Sequence, residues 1–269
     1  MTLGIIGKWT EKGFSKVASY GLPLIEFCYN PKNDPGELLK MTPELIKYSE
    51  KYNVKVGAIG RWGADKFTKE GVVIDKELEA CYKLIDVAAA LSCPVFNTGV
   101  NFVKAFSFEA NCDLAVGYLE KIIEYGRKTG VKIAVYNCDW SNFIKDPASW
   151  EAVLGRLPDL GIKYDPSHCI NKGSGDYMGE ISEWGHKICH FHVKGTLNVK
   201  GLHLDDPPAG LDMISWPTVL GLLYKADYKG MLSIEPHSPT IWRGRLGEWG
   251  IKYTIKYISP MLDGRAVSE

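Results

Sequence analysis

Eight short apolar runs, each followed by a stretch with helical patterning, constrain the fold of this chain more than any other feature. The predicted strands cover residues 3–7, 24–29, 55–60, 93–99, 131–137, 161–165, 188–194 and 230–236. Continuous apolar runs of this kind are typical of parallel strands that are buried on both faces. Eight such units in 269 residues predict an α/β protein, a (β/α)₈ barrel that forms a single domain over residues 1–269.

A doubly wound open sheet is the alternative that the same alternation allows. Its nucleotide-binding forms carry glycine-rich phosphate motifs, but no GxGxxG follows the first strand and no GxxxxGK[ST] occurs in the chain. The longest predicted connection, Gly195–Leu211, lies between the seventh strand and the helix after it. A loop of this length in a compact barrel is usually functional.

Composition and charge restrict the partners and the compartment. Lys plus Arg number 32 and Asp plus Glu number 32, which argues against the broad basic surface that nucleic-acid binding requires. Seven scattered cysteines without CxxC spacing predict reduced thiols. The start of the chain shows no signal-peptide pattern, and no apolar run approaches the ~20 residues of a membrane span. We therefore expect a cytoplasmic protein that binds a small molecule, not nucleic acid or a membrane.

Polar side chains collect at the carboxyl ends of the predicted strands. In a (β/α)₈ barrel these ends share one face, and that face carries the active site. The amino-terminal strand ends offer nothing similar, so the clustering indicates function. The residues concerned are Glu26, Tyr29, Arg61, Trp62, Asn97, Tyr136, Asn137, Asp165, His168, His190, His192, Lys194, Glu235 and His237.

Three of these residues form a candidate metal site. Asp165, His192 and Glu235 belong to the sixth, seventh and eighth strands, which are neighbours in a barrel. Two carboxylates and one imidazole suit Mn²⁺, Mg²⁺, Co²⁺ or Zn²⁺, and the ion would hold a substrate carbonyl and its neighbouring hydroxyl. Structural interpretations stay open: Asp165 can cap the turn that follows it. Glu235 can pair with Lys194, and His192 can be a buried histidine without a metal.

The remaining strand-end residues are interpreted as substrate contacts. The predicted contacts are Arg61, Trp62, Asn97, Tyr136, Asn137, His190 and His237. An aromatic face such as that of Trp62 can lie against a sugar ring, but it can equally be rim packing. Asn97 and Asn137 can instead satisfy loop backbone, as can Arg61. His190 is expected to orient its neighbours.

Taken together, the motifs resemble those of the xylose isomerase-like TIM-barrel superfamily of sugar isomerases and epimerases, which includes the ketose 3-epimerases. The resemblance covers essentially the whole chain and is most specific in DPSH (165–168), HFHVKG (190–195), PPAGLDMISW (207–216) and SIEPH (233–237). It implies that Asp165, His192 and Glu235 bind a divalent metal and that His168 touches the substrate. It also implies a carbohydrate substrate and a homo-oligomer.

Tyr136 departs from the family pattern. The family usually has a metal-binding Glu at the end of the fifth strand, in a context like ALEN, where this chain reads AVYN. A phenol with an ordinary pKa near 10 is a poor ligand and a poor base at neutral pH. The site therefore either binds metal through three protein ligands or has weakened or lost metal binding.

The resemblance implies that a proton leaves the carbon next to a carbonyl and that an enediolate forms. Glu235 is the expected base, and Lys194 is expected to stabilise the oxyanion or to move protons. Because Tyr136 replaces the second carboxylate, sugar (or sugar phosphate) isomerisation, which uses one face of the substrate, ranks first. Epimerisation that uses His168 or Tyr136 ranks second, and a lyase that performs β-elimination on 3-keto glycosides ranks third.

Two other classes of protein stay open. A metal-dependent phosphodiesterase like endonuclease IV uses a histidine-rich trinuclear site and a basic surface, which six histidines and zero net charge disfavour. A non-catalytic sugar-binding protein is the other class, which the missing Glu of the fifth strand favours.

Overall fold

Eight parallel strands close into a barrel in the computed structural model, which describes residues 1–262. The barrel strands are β1 (Thr2–Ile6), β2 (Leu24–Cys28), β3 (Lys55–Arg61), β4 (Val95–Thr98), β5 (Lys132–Tyr136), β6 (Gly161–Tyr164), β7 (Ile188–Val193) and β10 (Met231–Ile234). Each strand pairs in parallel with the next, and β10 pairs with β1 to close the ring. The predicted (β/α)₈ barrel is therefore confirmed, and each predicted strand overlaps one barrel strand.

Helices surround the barrel and cover the strand side chains that point outward. They are α1 (Glu11–Ser19), α2 (Pro35–Lys40), α3 (Thr42–Tyr52), α4 (Asp75–Ala90), α5 (Phe108–Thr129), α6 (Pro147–Leu154), α7 (Pro166–Lys172), α8 (Tyr177–Trp184), α9 (Trp216–Lys225) and α10 (Gly247–Ile258). Tyr164 and Phe191 pack under this layer, with their ring centroids 5.8 Å apart, and Tyr164 also meets Trp150 of α6. Because side chains alternate along a strand, the residues flanking these two aromatics face the barrel interior. No helix in residues 1–262 is long and apolar enough to cross a membrane.

Three elements are absent from the sequence-based expectation. They are the short helices α2 and α7, and an antiparallel hairpin of β8 (Leu197–Val199) and β9 (Leu202–Asp205). The hairpin lies within the long connection Gly195–Leu211. Asp205 ties it to the loop after β10, because Ser238 and Thr240 each donate a hydrogen bond of 2.6 Å to its carboxylate. Elements this short contain too few residues for an apolar period to show.

Small and apolar side chains fill the amino-terminal part of the barrel interior. Ala58, Val95 and Ala134 form a buried cluster against Cys189. Polar interior residues begin further along the strands, with His190, His192 and Ser233 all buried. The polar layer therefore lies toward the carboxyl ends of the strands, where the sequence places the candidate site.

Candidate active site

Three side chains from consecutive barrel strands meet at the carboxyl ends. Asp165 follows β6, His192 lies in β7 and Glu235 follows β10, and one ligand atom from each lies within 4.8 Å of the other two. His192 Nδ1 and Glu235 Oε2 are 2.9 Å apart. The three strands are neighbours in the closed sheet, so their parallel pairing brings the residues to one level. We call this group the triad.

The two carboxylate oxygens of Asp165 have different surroundings. Oδ1 accepts a 2.9 Å hydrogen bond from the Ser167 amide and so caps α7, as the structural interpretation of the sequence suggests. Oδ2 is buried and makes no hydrogen bond within residues 1–262, and it lies 3.4 Å from His168 Nε2 and 3.7 Å from Lys194 Nζ. Asn137 holds the Asp165 backbone through two hydrogen bonds of 2.9 Å. One oxygen of Asp165 is thus structural, and the other is free for a ligand.

Glu26 of β2 joins the two histidines of β7. Its Oε2 accepts hydrogen bonds from His190 Nε2 and His192 Nε2, both 2.9 Å long. Burial raises the pKa of Glu26, but the two imidazoles outweigh it and hold that pKa well below its usual value. A carboxylate behind an imidazole fixes the ring and raises the basicity of the opposite nitrogen. Glu26 therefore presents His192 Nδ1 to the triad, a role that we did not assign from the sequence because its partners lie 164 and 166 positions away.

Opposing effects of burial and charge set the ionisation of the site. Burial raises the pKa of Glu235, but Lys194 and His192 lower it well below its usual value. Burial lowers the pKa of Lys194, but Asp165 and Glu235 raise it above the usual value. Burial lowers the pKa of His168 to about 4. At neutral pH the site therefore holds ionised carboxylates, a protonated Lys194 and a neutral His168.

Trp62 and Tyr136 line the side of the site near β3 and β5. The Trp62 ring makes edge contacts with His192 and Tyr136, with centroid distances of 5.6 and 6.2 Å, and its Nε1 donates to Asn97 Oδ1. The Tyr136 hydroxyl donates a 2.7 Å hydrogen bond to the Trp140 carbonyl, and burial raises the pKa of this phenol. Tyr136 is consequently a protonated group held by the backbone, and it offers the triad no fourth ligand.

Several predicted substrate contacts have other partners. Arg61 points outward to α4, where its Nε lies 2.7 Å from Glu77 Oε2, and its Nη1 donates to the Tyr29 carbonyl. It follows an interior position in strand order, so its guanidinium faces the helices, and we do not retain it as a substrate contact. His237 is 59% exposed and lies 2.9 Å from Asp206. The fully buried Asn97 and His190, together with Asn137, are engaged with the protein itself.

Lys163 is an interior residue that the sequence analysis overlooked. It is only 2% exposed, and its Nζ lies 5.1 Å from the centroid of the Trp62 ring. In register it lies between Tyr136 of β5 and His190 of β7. The signal was present in the sequence, because a residue two positions before Asp165 in a strand shares its face.

The triad fits a divalent cation held by three protein ligands. Two carboxylates and an imidazole are suitable donors for Mn²⁺, Mg²⁺, Co²⁺ or Zn²⁺. The buried Asp165 Oδ2 without a hydrogen bond gives such an ion an oxygen ligand. Burial lowers the pKa of His192, but Glu26 and Glu235, which lie at its two nitrogens, outweigh burial and raise that pKa above its usual value. This arrangement favours a proton on Nδ1, and a cation bound at Nδ1 would take the place of that proton.

Two surface depressions adjoin the site at the carboxyl-terminal face of the barrel. One is lined by Glu235, Pro236, His237 and residues of α10. The other is lined by Asn137, His168 and Cys169. Glu235 of the triad therefore borders the first depression, and His168 borders the second.

The fold and the site together define a class of protein: a (β/α)₈ barrel that carries carboxylates and histidines at the carboxyl ends of its strands. The chain belongs to the family described as xylose isomerase-like TIM barrel, whose model matches residues 14–257. No curated protein matches the chain.

Solved structures of low sequence identity share the fold. A xylose isomerase domain protein from Planctomyces limnophilus has a TM-score of 0.77 at 13% identity and covers 97% of this chain and 96% of its own. A D-allulose 3-epimerase from Methylomonas sp. has a TM-score of 0.74 at 16% identity, covering 97% and 98%. A 3-keto-D-glucoside 4-epimerase from E. coli has a TM-score of 0.74 at 11% identity, covering 95% and 99%. At these identities the similarity shows the fold alone.

Proposed function

We propose that this protein is a metal-dependent isomerase of a sugar or sugar phosphate that works through an enediolate. The observation that carries the proposal is the triad, in which ligand atoms of Asp165, His192 and Glu235 lie within 4.8 Å of one another. The family supports a carbohydrate substrate, as do the titles of the epimerase structures that share the fold. A divalent cation bound there supplies positive charge next to the substrate oxygens.

Glu235 is the proposed base. Its Oε2 faces His192 Nδ1 at 2.9 Å, and its other oxygen makes no hydrogen bond within residues 1–262. The low pKa of Glu235 keeps it ionised at neutral pH, so it is ready to accept the proton that leaves the carbon next to the carbonyl. Lys194, held 3.7 Å from Asp165 Oδ2, carries a positive charge on the same side of the site.

His168 and Trp62 are the proposed substrate contacts. The His168 side chain is 20% exposed and lies in the depression beside Asn137. Because burial lowers its pKa to about 4, His168 is neutral at pH 7 and can accept a hydrogen bond from a sugar hydroxyl at one nitrogen. The Trp62 ring contacts His192 by its edge, which leaves aromatic surface for the apolar side of a sugar ring.

Epimerisation is the second candidate, and His168 is the observation that favours it. An epimerase needs one group on each face of the planar carbon, and no second carboxylate is present at position 136. A neutral, partly exposed imidazole next to Asp165 can fill that role. The ranking of isomerase first follows from the single carboxylate base, since aldose–ketose isomerisation uses one face.

Solvent exchange tests the proposal. The Mn²⁺-loaded protein is incubated in D₂O with a panel of ketopentoses and ketohexoses, free and phosphorylated, and products are analysed by NMR. We expect deuterium at the carbon next to the carbonyl, and an aldose product identifies an isomerase whereas an inverted ketose identifies an epimerase. Glu235→Gln should abolish the exchange. The matched control is Glu77→Gln, which alters a largely buried carboxylate that pairs with Arg61 on the helix side of the barrel. Absence of exchange with every sugar would contradict the enediolate mechanism.

A further inference from the structure

The ammonium of Lys163 lies inside the barrel without a carboxylate in contact. Residues 1–262 contain neither an ion pair within 4.0 Å nor a hydrogen bond that involves its Nζ, which lies 5.1 Å from the centroid of the Trp62 ring. An ammonium has three donors and no acceptor, and burial without partners is costly. Acceptors for these donors must therefore come from water in the free protein and from a ligand in the complex.

The Lys163 side chain extends into the barrel toward the triad. Its Nζ lies 5.1 Å from the centroid of the Trp62 ring, and that ring lies 5.6 Å from the His192 ring, centroid to centroid. Lys163 is in register with Tyr136 of β5 and His190 of β7, two residues before Asp165. The ammonium therefore lies beside the aromatic wall that contacts the triad.

On the side of the site near β5 and β6, His168 lies 3.4 Å from Asp165 Oδ2 and is neutral at pH 7, because burial lowers its pKa to about 4. Tyr136, in register with Lys163, has its hydroxyl bonded to the Trp140 carbonyl. Trp62 turns its Nε1 to Asn97. On the opposite side, Glu235 can remove a proton, and the Lys194 ammonium lies there 3.7 Å from Asp165 Oδ2. Lys163 is a second positive group, on the β5 side, for the oxygen that receives the electrons.

We propose that Lys163 is a further catalytic residue, which contacts the substrate oxygen that becomes negatively charged during enediolate formation. This inference rests on the function proposed above. In that step the carbon–hydrogen bond breaks, the proton goes to Glu235, and the electron pair moves to the carbonyl oxygen. The Lys163 ammonium donates a hydrogen bond to that oxygen and keeps its own proton.

A merely structural role makes a different prediction. If Lys163 only supported the Trp62 ring through its cation–π contact, its removal would weaken the binding of neutral and anionic ligands alike. A residue that binds a negative oxygen discriminates between them. Its positive charge also opposes a cation at the triad, so its removal should tighten metal binding while it impairs the reaction.

Lys163→Met tests the inference because methionine keeps the apolar stem and removes the charge. The probes are D-xylonate and xylitol, which share a five-carbon chain and differ in the planar anionic carboxylate, and Mn²⁺ alone. Binding is measured by calorimetry for the wild type, Lys163→Met and the control Lys132→Met, which removes a lysine at the exposed start of β5. Deuterium exchange is measured on the same proteins.

Lys163→Met should lose about tenfold or more in xylonate affinity and change xylitol affinity little, with tighter Mn²⁺ binding and exchange slowed about 10- to 100-fold. Equal losses for both probes, or wild-type exchange in Lys163→Met, would overturn the role of Lys163 while the proposed function stands. If the wild type binds neither probe and shows no exchange, both proposals fail. Lys132→Met should match the wild type throughout.

Discussion

Asp165 shows how one carboxylate combines a structural task with a proposed catalytic one. Its Oδ1 caps α7 through the Ser167 amide, while its buried Oδ2 has no hydrogen-bond partner in the described part of the chain and faces Lys194 and His168. The amide side chain of asparagine can make the same cap but is a weaker metal ligand. The two tasks can therefore be separated by a single substitution.

Asp165→Asn should keep the fold and lose the metal. We expect the variant to melt as a cooperative protein, but Mn²⁺ should no longer raise its melting temperature, because a ligand that binds only the native state stabilises it. Exchange activity should fall about 100-fold or more. The control is Asp146→Asn, which alters the acidic cap of α6. A full Mn²⁺-induced shift in Asp165→Asn would show that this oxygen does not hold the ion.

Glu26→Gln should weaken metal binding without touching the triad itself. The amide of glutamine carries no negative charge, so its hydrogen bonds to His190 and His192 are weaker than those of the carboxylate. His192 is then less firmly oriented, and its Nδ1 is less basic. Loss of a partner of this kind typically costs about 10- to 100-fold in metal affinity. Calorimetric titration with Mn²⁺ measures the effect, and Glu180→Gln serves as the comparison for a buried carboxylate elsewhere. Unchanged affinity in Glu26→Gln would mean that the histidines are positioned by packing alone.

The pKa of His168 predicts how stability depends on pH. Burial lowers this pKa from 6.5 to about 4, so between these values the unfolded chain holds the extra proton and the native chain does not. The unfolding free energy of the metal-free protein should fall by about 3 kcal/mol from this group as the pH drops from 6.5 to 4. Urea unfolding of the wild type and His168→Asn across this range measures the difference. Parallel pH profiles would contradict the buried, neutral state of His168.

At the scale of elements, β7 shows which parts of the site can be predicted from sequence. Strand alternation predicts that His190, His192 and Lys194 share a face, and in the structure all three point into the barrel toward Glu26 and Asp165. The same alternation explains Arg61: it follows the interior Gly60, so it faces α4 and Glu77. A sequence shows which residues of a strand share a face. It does not show which of the two faces points into the barrel, and that is why Arg61 and Trp62 were both predicted as substrate contacts.

The hairpin of β8 and β9 is one of the three elements that sequence patterns missed, and its attachment can be tested. Asp205 accepts hydrogen bonds from Ser238 and Thr240, and the hairpin ends beside Asp206, which binds His237. Asp205→Ala should increase hydrogen exchange in residues 197–205 with little change in global stability, because the barrel strands do not depend on this contact. Asp113→Ala, which removes an exposed partner of Arg156, is the control. Unchanged exchange in the hairpin would show that other contacts hold it.

At the scale of the whole molecule, the eight-fold alternation of apolar runs and helices was sufficient to predict the closed barrel. The polar strand ends also predicted the rim at which Asp165, His192 and Glu235 meet in the structure, because parallel strands expose all their carboxyl ends on one face. Contacts between segments that lie far apart in the chain could not be predicted from the sequence. Glu26 acts through histidines 164 and 166 positions away, and Lys163 gains its proposed meaning from the absence of a carboxylate partner within the described residues.

The central claim is that one divalent cation is held by side chains from three consecutive barrel strands. A crystal structure of the protein with Mn²⁺, with anomalous scattering recorded at the manganese edge, tests it most directly. We predict one manganese peak per chain, bound by Asp165 Oδ2, His192 Nδ1 and a Glu235 oxygen. Crystals soaked at saturating Mn²⁺ that show no peak there, or a peak whose ligands are other residues, would contradict the account.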